Sequence, residues 1–186
     1  MSLLSYSNLD ASTTKASFQS GDVLLISLNC YSCALIERAS GAPYSHSGII
    51  LKIGRQWRVA QALGEVHDVS LSEFMALRKQ GTRIAHLRAI DLVTSEQELV
   101  ANYKSFIGIP FDRNYLWDDE ALYCSEFVAK FFQRFDSSLL APSPIDYGAD
   151  DEIWRRHLGN RYNGGELGNS PASLLNDPFF KFLDYL

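Results

Sequence analysis

Residues 43–63 read PYSHSGIILKIGRQWRVAQAL. Two apolar runs flank Gly54, and a glycine between runs rich in Val, Ile and Trp signals a β-hairpin. Period two places His46, Gly48 and Ile50 on one face of the first strand. The missing side chain at Gly48 leaves room for another chain or a substrate. A loop centred on Ile53 and Gly54 sets His46 opposite Gln61. Cβ atoms so opposed lie about 4.5–5.5 Å apart, close enough for the amide oxygen to accept a hydrogen bond from one ring nitrogen. Such a bond fixes the tautomer and leaves the other nitrogen for a thiol. A bulge or a three-residue loop would break this register. Glu65 competes for the same role with a full charge, but it lies beyond Gly64 and ranks second.

The thiol comes from residues 121–135, ALYCSEFVAKFFQRF. Leu122, Phe127, Val128 and Phe131 form an apolar stripe beside exposed Lys130 and Arg134, so the segment predicts an amphipathic helix. Cys124 stands near its start, after Asp118, Asp119 and Glu120, which are placed to cap or favour the first turn. A helix N-terminus stabilises a thiolate, the nucleophilic form of cysteine. A free cysteine is otherwise a small buried hydrophobe, so a functional reading needs the partner that His46 supplies. Glu126, two residues on, points elsewhere and is structural.

Around these segments, the sequence predicts a strand at Asp22–Leu28 and helices at Tyr31–Ala39, Ser70–Leu77 and Ser95–Ile107. Residues 66–69 extend the sheet and Thr82–Arg88 add a strand; a further helix starts near Pro171 behind Ser170. Residues 1–20 form a loose lead-in. The polar, Gly-containing stretch 142–170 predicts loops bordering a substrate cleft and limiting substrate size. There is no internal repeat, and 186 residues at 46% apolar suit a single domain.

The net charge of -5 with scattered Lys and Arg disfavours nucleic acid. No run reaches the roughly 18 apolar residues of a membrane span, and the residues before Lys15 lack a secretory pattern, so a cytoplasmic location is expected. Three cysteines argue against a disulfide framework. Cys30 and Cys33 read as two thiols on the inner face of a short helix. Neither a zinc site nor a thioredoxin-like motif has the surroundings it needs. His67, His86 and His157 have no partners by spacing.

GDVLLISL, PYSHSGIIL, VAQAL with VSLSEF, GIPFD, LYCSEFVAKFF and SPASLL, over residues 20 to 180, resemble the permuted papain-like amidases of the YaeF/YiiX type, a branch of the NlpC superfamily. His46 precedes Cys124, the order that the permuted branch requires. The resemblance implies Cys124 as nucleophile, His46 as base and position 61 as the polar third member, where that family typically carries Glu. It also implies that Tyr123 and the Cys124 N–H lie near an oxyanion. The residues and the resemblance together predict an α+β fold with an antiparallel, barrel-like sheet packed against helices. They predict a cysteine hydrolase, an amidase or peptidase using a thioester acyl-enzyme on a small amide, peptide or lipid-linked amino acid, with no metal or other cofactor. An acyltransferase or lipid hydrolase using the same dyad is the alternative, as is a silent binding module in which Gln61 marks decay. Oligomeric state is left open.

Overall fold

The structure, a computed structural model, describes residues 17–186; most of the lead-in expected over 1–20 lies outside them. In chain order the first elements are β1 (Val23–Ile26), α1 (Tyr31–Ser40), β2 (His46–Ile53), β3 (Gln56–Leu63), β4 (Glu65–Ser70), α2 (Leu71–Ala76), β5 (Ala85–Ala89) and α3 (Glu96–Lys104). They are followed by α4 (Cys124–Gln133), β6 (Ser143–Pro144), α5 (Asp151–Leu158), β7 (Leu167–Gly168), α6 (Pro171–Asn176) and β8 (Phe180–Tyr185). Six strands form one sheet in the order β4-β3-β2-β1-β5-β8, and each neighbouring pair is antiparallel. β6 and β7 make a separate two-stranded pair.

Both faces of the sheet are covered, which explains why VLLI and IIL are continuous apolar runs and not alternating ones. On one face Val23, Leu25, Ile49, Leu51 and Ala60 share a core with Phe127, Val128 and Phe131 of α4. On the other, Leu24, Ile26, Ile50 and Val59 pack on Phe74 of α2 and on Ile84. Each fully buried side chain of this size contributes about 1.5–3 kcal/mol relative to exposure.

The hairpin register differs from the expected one. The ladder runs from Ile49 opposite Ala60 to Ile53 opposite Gln56, so the connection is Gly54 and Arg55, with Gly54 at φ 65°. Pairing is displaced by two residues, and continuing the ladder one step puts Gly48, not His46, across from Gln61. Because side chains alternate with period two, the displacement keeps His46 and Gln61 on one face and makes them diagonal neighbours. Gly48 is not an opening for substrate. A Cβ there would come within 2.5 Å of Val59 Cγ1 and 2.7 Å of Phe74 Cε2, so the space belongs to packed side chains.

Three local expectations also change. Cys30 and Cys33 are joined by a disulfide, because the i, i+3 spacing across the start of α1 brings their Cα atoms to 5.1 Å; Cys33 is buried and Cys30 exposed. The acidic cluster does not cap α4. Asp118 instead accepts from the N–H groups of Glu120 and Ala121, and Asp119 pairs with Lys130. Finally, the stretch 142–170 holds α5, fixed by Trp154 stacked on Tyr147 at 4.5 Å between centroids and packed with Leu35 and Leu158.

Candidate active site

Cys124 occupies the first position of α4, with Tyr123 as the preceding cap residue. The cap is supplied from within the helix: Glu126, fully buried, accepts from the Tyr123 N–H at 3.3 Å and lies 3.0 Å from Lys130 Nζ. Burial pushes the Glu126 carboxyl up to about 8 against the pull of Lys130. The start of α4 is thereby pinned beneath the thiol. Cys124 is the one free cysteine, 7% exposed. Its sulfur lies 3.8 Å from Ser45 O, and Ser47 follows two residues on in the same segment. Burial raises the thiol pKa, while Ser47 and the first-turn amides of Ser125 and Cys124 itself pull it down.

His46 sits between those two serines, at the first residue of β2. Its Nε2 is 2.7 Å from Gln61 Oε1, so the expected ring–amide bond forms from a diagonal and not a direct pairing. Both residues are buried on the sheet face that carries Ile50, Val59 and Phe74, and the His46 ring lies 5.7 Å from the Phe74 ring. α4 packs on the opposite face, and the hydrogen bond of the thiol goes to Ser45 and not to the ring. Thiol and imidazole thus meet the same segment, Ser45–Ser47, from opposite faces of the sheet, beyond the Ile49–Ala60 end of the β2–β3 ladder. Burial pulls the His46 pKa down to about 4, with the Gln61 bond opposing and nearby His67 adding to the fall. Near neutral pH the ring is uncharged and able to accept a proton.

Glu65 is exposed, and it is the carbonyl oxygen of this residue that makes a contact here, accepting from His67. Of the two candidates, Gln61 is the one bonded to the His46 ring. His67, which spacing alone left without a partner, lies opposite Gln61 in β4 and is bonded to its amide. Reading Gly64 as the centre of a tight β3–β4 turn would have found it, since the Leu63–Glu65 pair flanking that glycine sets the register.

Cys124 and Tyr123 open onto a cleft of about 270 Å³. The Tyr123 hydroxyl accepts from the Asn169 N–H at 2.9 Å, which leaves its own proton free, and burial raises its pKa so that it stays a neutral donor. Ile36, Ala39, Ile145, Tyr147 and Trp154 supply apolar wall, and Ser143–Asp146 and Gly168–Ser170 come from the late segment. Tyr115, also lining the cleft, has a left-handed backbone at φ 55°, a conformation that L side chains rarely adopt. Buried Asn163 holds it there, donating to Tyr115 O at 2.7 Å and Asn114 O at 3.1 Å while accepting from the Tyr147 hydroxyl at 2.6 Å. Sequence reading missed this wall because its partners lie 48 and 16 residues from Asn163.

An antiparallel sheet with a cysteine at the start of a packed helix, and a histidine strand preceding that helix in the chain, defines a permuted papain-like protein. A family model described as permuted papain-like amidase enzyme, YaeF/YiiX, C92 family, matches residues 17–181, and the chain belongs to this family. It is 28% identical over 117 residues to YiiX of Escherichia coli K12, a match covering 62% of this chain and 58% of that protein. The crystal structure titled metalloprotein yiiX, from Escherichia coli O157:H7, has the same fold at TM-score 0.81 and 22% identity, covering 90% of this chain and 97% of that one. Among the described residues no group of three or more His, Cys, Asp or Glu side chains is placed to hold a metal ion. The neighbours of Cys124 are serines and tyrosines, and His46 and His67 are bridged by an amide, so these residues do not fit a metal site. Among the described residues, no helix is long and apolar enough to cross a membrane.

Proposed function

We propose that the protein is a cysteine hydrolase that cleaves a small amide, peptide or lipid-linked amino acid, with Cys124 as nucleophile, His46 as base and Gln61 orienting the ring. The observation that carries this reading is a thiol at the start of a packed helix that lines a cleft and bonds to Ser45 O, next in the chain to His46, whose uncharged imidazole is oriented by an amide. His46 Nδ1 takes the Cys124 proton as sulfur attacks the carbonyl carbon. The oxygen gains negative charge and is met by the Cys124 N–H, which has no partner within the helix, and by the Tyr123 hydroxyl. Collapse expels the amine, which takes the proton from His46. Water, deprotonated by the same ring, then attacks the thioester and releases the acid and the thiol. Burial raises the thiol pKa and lowers that of the ring, so proton transfer accompanies attack and no standing ion pair is needed.

Apolar walls and the lack of any Lys or Arg among the described residues lining the cleft favour an uncharged, apolar acyl group, with Asp146 as the lining carboxylate. The test is site-resolved iodoacetamide labelling of native protein between pH 6 and 9. Cys124 should label, its rate should rise with pH, and His46→Ala should slow it at neutral pH by about 10-fold or more. An equal rate in His46→Ala would remove the base assignment, and an inert Cys124 would remove the nucleophile.

A further inference from the structure

We infer that His67 is a positioning residue that sets the tautomer of His46 through the Gln61 amide; the inference rests on the reading of His46 as base. His67 Nδ1 lies 3.0 Å from Glu65 O, and a carbonyl oxygen only accepts, so Nδ1 carries the hydrogen. In the neutral ring Nε2 is then an acceptor. Gln61 Nε2, 3.3 Å away, donates to it, which turns the other end of the amide, Oε1, toward His46. An amide oxygen also only accepts, so the His46 nitrogen at 2.7 Å, Nε2, is the protonated one. Nδ1 of His46 is left bare, and a bare nitrogen is what a base requires. Each bond dictates the next.

The relay matters because position 61 is an amide. A carboxylate accepts at both oxygens and would orient the ring in either rotation. An amide has one accepting and one donating end, and a flipped Gln61 would donate to His46 Nε2, move the ring proton to Nδ1 and abolish the base. Gln61 is 1% exposed, and its side chain bonds to these two histidines. His67 is thus the group that chooses the productive rotation. It lies on β4, the edge strand of the sheet, and is half-buried, so it tolerates replacement.

The test reads the His46 tautomer by imidazole ¹⁵N NMR near pH 7.5, in parallel with Cys124 alkylation by iodoacetamide. Wild type should be the Nε2–H form. His67→Glu, which can only accept, should keep that form and an alkylation rate within about twofold of wild type. His67→Phe, which does neither, and His67→Lys, which can only donate, should lose the pure Nε2–H form and slow alkylation about 10-fold or more. A pure Nε2–H form in both His67→Phe and His67→Lys would overturn the inference while leaving the Cys124–His46 reading in place. A tautomer that responds while alkylation does not would keep the relay and remove His46 as the base.

Discussion

Replacing Gln61 with Glu puts a negative charge against His46 Nε2, where the amide oxygen now lies at 2.7 Å. A nearby negative charge favours the protonated ring, so the His46 pKa should rise from its depressed value of about 4. NMR titration of His46 in the two proteins measures the change, and an unchanged or lowered pKa would show that Gln61 is not the partner of the ring. The substitution also makes the third member a symmetric acceptor, so Gln61→Glu should remove the dependence of the tautomer on His67. At this scale the placements were largely readable from residue order: Cys124 at a helix start and Gln61 bonded to His46 follow from the helix pattern and a period-two strand, and the misplaced register did no damage to that contact because a displacement of two residues preserves the face. His67 and Ser47 were not readable, since each acts through an element that the hairpin alone does not place.

The element on which the site depends most is α4, and its first turn is held by the side chain of its own Glu126. With the Glu126 carboxyl raised to about 8, this group is largely protonated at pH 7, so Glu126→Gln keeps the acceptor for the Tyr123 N–H and removes little charge. Glu126→Ala leaves that N–H and Lys130 without a buried partner. We expect a loss of about 2–4 kcal/mol for Ala and under about 1 kcal/mol for Gln at pH 7, read from urea unfolding. Equal losses would mean that the carboxylate paired with Lys130, which both variants remove, matters and not the acceptor that Gln keeps. Most other helices could be placed from their caps, as Ser70, Ser95 and Ser170 each accept from the N–H three residues on. α5 escaped because DEIWRRHL offers few apolar positions among charges, and its stability comes from the Tyr147–Trp154 stack and contacts with Leu35, which local sequence does not reveal. The disulfide escaped because cysteine counting addresses frameworks and not a close pair within one turn.

Across the whole molecule, a sheet buried on both faces fixes the start of β2 at the place where α4 begins. The late segment, tied through Asn163 to the strained turn at Tyr115, walls the cleft over the thiol. The layering was readable from apolar runs that continue through β1 and β2, whereas the cleft depends on contacts between segments far apart in the chain. If this assembly works as an acyl-transfer site, sulfur must carry the acyl group. The most direct measurement mixes native protein with p-nitrophenyl acetate, quenches with acid within seconds and locates the added mass by peptide mass spectrometry. An acetyl group on Cys124 that decays on longer incubation, and that is absent in His46→Ala, is the predicted result. No acetyl on Cys124 in the native protein, or equal acetylation of Cys124 in native and His46→Ala protein, would contradict the proposed mechanism.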